Sequence, residues 1–150
     1  MKSILTTLVI LLALMPATLY AGAVATGTLS IEFASEDSGE ASGNMWLTRS
    51  SKNDLEVIGC SFKGELDGQG GSYKWAWCRA RDASGLEVFC ITEDENLLDA
   101  LQAISPFSWV RFVFENATQR NDGVWIADCT RFDISTQSLH LPNFATKGNK

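Results

Sequence analysis

The spacing of the cysteines constrains the fold of this chain more than any other feature of its sequence. Cys60 and Cys78 flank a glycine-rich turn near Gln69, and Cys78 and Cys90 flank a second turn near Ser84. Two antiparallel strands joined by a turn pair residues whose numbers have a constant sum. The first turn therefore sets Cys60 opposite Cys78, and the second sets Cys78 opposite Cys90. The sequence predicts a row of three cysteines across three neighbouring strands.

The face of the sheet that carries this row is predicted to be the core. Side chains alternate along a strand, so the cysteines share their face with small and apolar residues. These residues are Ile58, Phe62, Ala76, Ala80 and Val88. The last hairpin, centred near residues 119–120, is predicted to set Cys129 opposite Phe112. Its core face would hold Val110, Phe112, Phe114 and Ala127.

The first 23 residues have the three-part pattern of a secretory signal peptide. Lys2 precedes an apolar run at residues 4–15, and the small residues 21–23 follow as a cleavage site. The run of about 12 residues is shorter than the roughly 20 that a membrane-spanning helix needs, which disfavours an uncleaved anchor. No cysteine lies there for lipid attachment, so the sequence predicts a periplasmic or extracellular protein without a membrane span.

Export changes what the four cysteines predict. An even number of cysteines in an oxidising compartment favours two structural disulfides. The chain contains no Cys-x-x-Cys pair, which argues against a zinc knuckle or a thioredoxin-like site. We therefore expect neither a metal nor a cofactor.

Turn clusters and hydrophobic periodicity divide the rest of the chain into one β-rich domain, residues 24–134, and a polar tail, residues 135–150. Predicted strands cover residues 28–33, 45–49, 55–62, 73–81, 86–91, 109–115 and 124–134, and residues 34–44 are predicted to be a loop. Between the fifth and sixth strands, Thr92 and Glu95 fit a helix capping box. An apolar helical stripe follows at Leu97, Leu98, Leu101 and Ile104. The helix is predicted to end before Pro106.

From residue 55 onwards, the predicted order of three strands, one helix and two strands is that of a five-stranded OB-fold barrel. In that topology the first and second strands are neighbours, and so are the third and fifth. This favours the disulfides Cys60–Cys78 and Cys90–Cys129 over the other two pairings. The two N-terminal strands exceed a minimal OB-fold and could extend the barrel or pack on its outside. A β-sandwich with one helix is the alternative fold.

Roughly half of the chain carries a recognisable arrangement of cysteines and turns. Its parts are Ile58-Gly59-Cys60, residues 78–85, Cys90-Ile91-Thr92, Ile104 with residues 109–112, and Cys129. This arrangement resembles a pattern in small secreted bacterial proteins with four cysteines. The resemblance implies the same fold and compartment. Because no activity is established for those proteins, it implies no site.

The face opposite the cysteines carries the candidate ligand-binding residues. Trp75, Trp77 and Arg79 alternate on one strand, and Phe89 lies beside them on the next. OB-folds bind bases or sugars on the outer face of their second and third strands, so exposed rings with an arginine would form a binding platform. Alternatively, the N-terminal strands or a second subunit cover this face, and the tryptophans are structural.

The residues that could support catalysis do not occur in a known catalytic motif. His140, the only histidine, lies in the polar tail, and no flanking motif supports a nucleophile that would need it. Two suitably spaced acids suffice for a glycosidase. The candidate pairs are Glu36 with Asp37, Asp82 with Glu87, and Asp128 with Asp133. Asp128 lies in an otherwise apolar strand, where a partner such as Arg111 would make it part of a structural ion pair.

Three functional hypotheses follow from these patterns. The first is an exported, non-enzymatic binding or accessory domain for a protein or glycan ligand. The second is a secreted effector or enzyme inhibitor that acts through a rigid surface loop, at residues 34–44 or 65–72. The third is a small carboxylate-dependent hydrolase. The net charge of −6 argues against nucleic acid as a partner, and the sequence does not determine the oligomeric state.

Overall fold

The structure is a computed structural model that describes residues 29–66, 68–69 and 71–137. Its strands are β1 (Ser30–Phe33), β2 (Gly39–Asn44), β3 (Val57–Leu66), β4 (Ser72–Arg81), β5 (Glu87–Thr92), β6 (Trp109–Gln119) and β7 (Trp125–Ser135). Its helices are α1 (Met45–Arg49) and α2 (Glu95–Leu101). The predicted signal peptide, His140 and the tail from residue 138 onwards lie outside the described residues. No helix within those ranges is long and apolar enough to cross a bilayer.

The fold is mainly β, and its strands form one sheet in the order β1-β2-β6-β7-β5-β4-β3. All neighbours are antiparallel except β5 and β7, which run parallel. Cys60 lies opposite Cys78, and Cys78 lies opposite Cys90, so the predicted row of cysteines is confirmed. The predicted adjacency of β3 with β4, and of β5 with β7, is confirmed as well.

Both predicted disulfides are present. Cys60 is bonded to Cys78 across β3 and β4, with 4.0 Å between their Cα atoms. Cys90 is bonded to Cys129 across β5 and β7, with 5.0 Å between their Cα atoms. The hairpin of β4 and β5 lies between the two bridges, so four successive strands of the sheet are connected in a single row.

The predicted register of the last hairpin is wrong. Cys129 pairs with Phe114, not with Phe112. The ladder between β6 and β7 contains two register shifts within residues 113–118. Each such irregularity changes the number of residues on one strand, so the constant-sum rule does not hold through it. The predicted core face of this hairpin is nevertheless confirmed, since all four of its members are buried: Val110, Phe112, Phe114 and Ala127.

The cysteine face is the core, with one exception. Four of the five residues predicted to share that face are buried: Ile58, Ala76, Ala80 and Val88. The prediction for Phe62 is wrong, because 49% of its surface is exposed. From Ser61 onwards the residues of β3 are exposed, and so are the first three residues of β4, so the core ends before this end of the hairpin. Period-two alternation assigns a face but does not determine where along the strand the core ends.

The N-terminal segment differs most from the prediction. Residues 39–44, predicted to be part of a loop, form β2, which pairs with β1 on one side and β6 on the other. Gly39 explains why a polar, glycine-rich stretch forms a strand here. A Cβ atom at Gly39 would lie 2.3 Å from the Glu32 carbonyl oxygen and 2.8 Å from Cζ of Phe114, so only glycine permits this approach. The N-terminal strands therefore extend the sheet beyond β6.

Residues 45–49, predicted to be a strand, form helix α1 instead. Asn44 begins the helix, because its side-chain oxygen accepts hydrogen bonds from the backbone N–H groups of Trp46 and Leu47, both at 3.0 Å. Asparagine is a preferred N-cap residue for this reason. Thr48 is buried, and its hydroxyl donates to the Asn44 carbonyl at 2.9 Å.

Helix α2 confirms the predicted helix but not its predicted start. The N-cap is Asp94, whose carboxylate accepts from the N–H groups of Asn96 and Leu97. Thr92 is the last residue of β5 and is buried, so it cannot begin the helix. From the predicted stripe, Leu98 and Leu101 are buried, whereas the other two residues are half-buried.

The sheet is not closed, and its two edge strands are β1 and β3. Strands β2 and β3 nevertheless approach each other: a Cβ atom at Gly43 would lie 3.4 Å from Cγ2 of Ile58. The sheet therefore curls until strands far apart in its order meet through side chains. An arrangement of all described strands in one sheet differs from the alternative β-sandwich, which needs two packed sheets.

The two disulfides predict a graded loss of stability. Replacing Cys90 and Cys129 with alanine should lower the free energy of unfolding by about 4 kcal/mol, and replacing Cys60 and Cys78 by about 3 kcal/mol. The reason is that the closed loops span 39 and 18 residues, and the longer loop restricts the unfolded chain more. Urea unfolding of both double variants checks the order. A larger loss from the Cys60–Cys78 pair would contradict this explanation.

Candidate functional site

The outer face of β4 and β5, opposite the cysteines, carries a row of aromatic side chains. Trp75 and Trp77 alternate with the buried residues of β4. Phe89 lies on the neighbouring strand, directly opposite Arg79 in the ladder. The ring centroids of Trp75 and Trp77 are 4.7 Å apart at an interplanar angle of 34°, and those of Trp77 and Phe89 are 6.4 Å apart at 26°. The structure thus brings together the three aromatic residues that the sequence singled out.

These distances determine how the rings are presented. Centroids 4.7 Å apart fall at the short end of the range for offset-stacked rings. The rings of Trp75 and Trp77 are therefore in direct contact, at a tilted angle. The amino group of Lys63 lies 5.8 Å from the Trp75 centroid, at cation–π distance.

The N-terminal strands do not cover the aromatic row. Strand β2 pairs with β6, and β1 pairs with β2, so the two strands lie three and four positions from β5 in the sheet order. Trp75, Trp77 and Phe89 are half-buried, which their contacts with one another partly explain. The sequence left open whether β1 and β2 shield the tryptophans, and the sheet order shows that they do not.

Ion pairs border the row. Arg79, the fourth predicted site residue, points its Nε at Glu87, 2.6 Å away, and 43% of its side chain is exposed. Arg81 approaches the same carboxylate at 3.7 Å. At the other end of the row, Lys63 pairs with Glu65 on β3. The aromatic rings are therefore flanked by charged groups that are partly satisfied within the chain.

Tyr73 belongs to the same face, and the sequence analysis missed it as a site residue. It precedes Trp75 by two positions on β4, so its side chain leaves the same side of the strand. Its hydroxyl donates a hydrogen bond to the Glu93 carboxylate. That bond, together with the negative charges of Glu93 and Glu65, raises the pKa of Tyr73 above its ordinary value. The alternation of aromatic residues at 73, 75 and 77 was the available signal.

The apolar surface continues from β5 onto β7. Ile126 lies beside Phe89, and Asp128 lies beside Ile91, in the parallel ladder. The predicted ion pair of Asp128 with Arg111 is wrong. The carboxylate of Asp128 accepts instead from Nδ2 of Asn116, at 2.8 Å.

Arg111 has other partners, which explains why it does not reach Asp128. It binds Glu40 of β2 and, at 3.2 Å, Asp133 of β7. Asn116 can meet Asp128 because it lies in the irregular part of β6 and has a φ of 55°, a left-handed conformation that asparagine tolerates.

The candidate carboxylate pairs are engaged in local structure. Asp82 accepts hydrogen bonds from the hydroxyl and the N–H of Ser84 and from the N–H of Leu86. Desolvation raises the pKa of Asp82, but these hydrogen bonds outweigh it, so the pKa lies below its usual value. Glu87 binds Arg79, and Asp133 binds Arg111. These are turn and ion-pair roles, and a general acid would instead need a raised pKa.

The remaining candidate pair, Glu36 with Asp37, lies near the start of the chain that the structure describes. Asp37 accepts from the Ser35 hydroxyl at 2.8 Å, and both Glu36 and Asp37 are exposed. Among the residues that the structure describes, no three His, Cys, Asp or Glu side chains gather to hold a metal ion.

Comparison of the chain with protein-family models, with curated proteins and with solved structures finds no match.

The exposure of the row predicts that its tryptophans are dispensable for folding. Trp75→Ala and Trp77→Ala should each lower the free energy of unfolding by less than about 2 kcal/mol, because a half-buried ring loses only part of a full burial energy. Phe112→Ala, at a fully buried ring, should cost about 3–5 kcal/mol. Urea denaturation of the three variants makes the comparison. Equal losses at all three positions would show that the row is part of the core.

The hydrogen bond at the end of the row predicts a shift in tyrosine titration. Glu93→Gln should lower the pKa of Tyr73 towards its ordinary value, because the carboxylate that stabilises the neutral phenol and repels the phenolate is removed. Glu65→Gln should lower it less, since Glu65 makes the smallest contribution. Absorbance of the phenolate as a function of pH measures both. An unchanged titration in Glu93→Gln would show that the bond does not form.

Proposed function

We propose that this protein is an exported, non-enzymatic binding or accessory domain whose protein or glycan ligand docks on the outer face of β4 and β5. One observation carries the proposal: Trp75, Trp77 and Phe89 form a row of neighbouring rings on a face that β1 and β2 leave open. Aromatic side chains are enriched at the centres of protein interfaces, where they supply large apolar area. The ion pairs of Arg79 with Glu87 and of Lys63 with Glu65 would form the polar rim.

The order of strands and helix, which is like that of an OB-fold although the sheet is not closed, supports the choice of this face. Strands β3, β4 and β5, helix α2, and strands β6 and β7 follow one another in the order of an OB-fold, and the parallel pairing of β5 with β7 also fits. In place of a pairing between β3 and β6 that would close a five-stranded barrel, β2 lies beside β6. OB-folds bind ligands on the face that corresponds here to the outer side of β4 and β5.

Two features support export. Disulfides persist in oxidising compartments, and both bridges of this chain lie in or beside the core. The pattern of residues 1–23 is that of a secretory signal peptide, which would deliver the chain to such a compartment.

The presentation of the rings favours a protein over a glycan as the ligand. Sugars stack on the open face of an aromatic ring, whereas the Trp75 ring already contacts Trp77, with 4.7 Å between centroids, and has the Lys63 amino group over it at 5.8 Å. An aromatic row with charged borders resembles the centre of a protein interface with its polar rim. A protein ligand is therefore the first expectation, and a glycan is the alternative that the experiment separates from it.

The second candidate function is that of a secreted inhibitor or effector. It is favoured by the tip of the hairpin between β3 and β4, which lies within the predicted loop 65–72. Leu66 is 83% exposed there, and Tyr73 follows on β4 at 45%. An exposed leucine on a projecting hairpin suits insertion into a cleft of a partner.

Affinity capture from the native envelope and culture medium tests both candidates. Three baits are compared: the unaltered protein, Trp75→Ala/Trp77→Ala, and Leu66→Ser. We expect the double variant to lose the retained ligand by at least tenfold, because truncated aromatic anchors cost about 2 kcal/mol or more. Leu66→Ser should retain it. Treatment of the eluate with protease or with glycosidase identifies the ligand class.

Other patterns of ligand loss among the three baits would favour the inhibitor hypothesis or overturn the proposed binding face. A ligand lost only by Leu66→Ser would establish the inhibitor hypothesis. A ligand kept by all three baits, or the absence of any ligand, would overturn the proposed face. Near-ultraviolet circular dichroism of each bait ensures that a loss of binding is not a loss of fold.

A further inference from the structure

Strand β3 is a long edge strand whose outer half is exposed. In the described part of the chain it pairs with β4 alone, and it ends the sheet order. Its last six side chains, from Ser61 to Leu66, are all exposed, including the apolar Phe62 and Leu66. Such an edge presents unpaired backbone N–H and C=O groups and is a template for pairing with another chain.

The disulfide in this hairpin shows which backbone groups point outwards. The Cα atoms of Cys60 and Cys78 are 4.0 Å apart. This is close to the 4.5 Å of a non-hydrogen-bonded antiparallel pair and well below the 5.5 Å of a hydrogen-bonded pair. The N–H and C=O groups of Cys60 therefore point away from β4. Because the pattern repeats every second residue, those of Phe62, Gly64 and Leu66 also point to the free edge.

A second copy of the same strand fits this edge. If two β3 strands run antiparallel about a two-fold axis at Gly64, Gly64 pairs with itself and Phe62 pairs with Leu66 of the other copy. All three pairs join residues whose backbone groups point outwards, which would give six hydrogen bonds. On the inner face, the exposed Phe62 and Leu66 would cover each other.

The same register matches the charges on the outer face. Lys63 would lie opposite Glu65 of the other copy, and Glu65 opposite Lys63, as non-hydrogen-bonded pairs whose side chains approach most closely. Moving the axis to position 63 would oppose two lysines, and moving it to position 65 would oppose two glutamates. Like charges directly opposite each other are destabilising. Of these three axes, only the one at Gly64 opposes unlike charges, and it is the register favoured by the charges.

We propose that β3 is a self-association surface, through which two copies of this chain join into a symmetric dimer centred on Gly64. The interface is isologous, as most homodimer interfaces are. It would make one continuous sheet from both copies. The two aromatic rows would then lie on the same face, with their β4 strands about 14 Å apart, three strand spacings of the sheet. The dimer would present its ligand-binding residues twice, although the association itself does not depend on the function of that face.

Charge reversal at the edge tests the proposal. The unaltered protein should double its mass with rising concentration in sedimentation equilibrium. Lys63→Glu and Glu65→Lys should each weaken the association by about tenfold, because each opposes like charges at both symmetric pairs. The double reversal, Lys63→Glu/Glu65→Lys, restores opposite charges and should restore the dimer.

Mixing the two single variants gives the sharpest result. The two acids of the Lys63→Glu chain would face the two lysines of the Glu65→Lys chain, so the mixture should form a heterodimer that neither variant forms alone. Lys52→Glu is the matched control, since it changes the charge of an exposed lysine outside the edge and should not affect association. A monomeric unaltered protein would overturn the proposal. A dimer insensitive to both reversals, or a mixture that stays monomeric, would overturn the register.

Discussion

The row of cysteines is the constraint on which the rest of this structure depends. Cys78 and Cys90 are fully buried at the centre of the sheet, opposite each other on β4 and β5. Each is bonded outwards, to Cys60 on β3 and to Cys129 on β7. The two bridges and the hairpin between them thus define the order of four strands. They also make the cysteine face of the sheet the core. Small residues on that face, such as the fully buried Ala76, leave room for the sheet to curl around it.

The aromatic row is a consequence of that constraint. Since side chains alternate along β4, a buried Cys78 requires that Trp77 and Arg79 leave the opposite face. The large aromatic side chains of these strands therefore lie on the outer face, where Trp77 contacts both Trp75 and Phe89. The same alternation, continued past the core, exposes Phe62 at the edge of β3. The aromatic row on β4 and β5 and the exposed phenylalanine on the edge strand β3 therefore both follow from the register that the cysteines set.

Local rules predicted the middle of the molecule and not its ends. The connections from β3 to β4 and from β4 to β5 are short, so a constant-sum pairing correctly placed Cys60, Cys78 and Cys90. It failed at Cys129, because the β6–β7 ladder contains irregularities that no local signal marks. The prediction of a loop failed at residues 39–44. This glycine-rich stretch has the composition of a loop, but it forms a strand because β1 and β6 pair with it on both sides.

The sequence by itself determined the face of each central strand, the row of Cys60, Cys78 and Cys90 and the identity of three neighbouring rings, because alternation and short turns act between near neighbours. Only the tertiary structure decided that β1 and β2 extend the sheet beyond β6 and leave the tryptophans open. It also decided that Arg111 binds Glu40 and Asp133, and that Asp128 is left to Asn116. These outcomes depend on contacts between residues far apart in the chain, where packing and pairing energies override local preference.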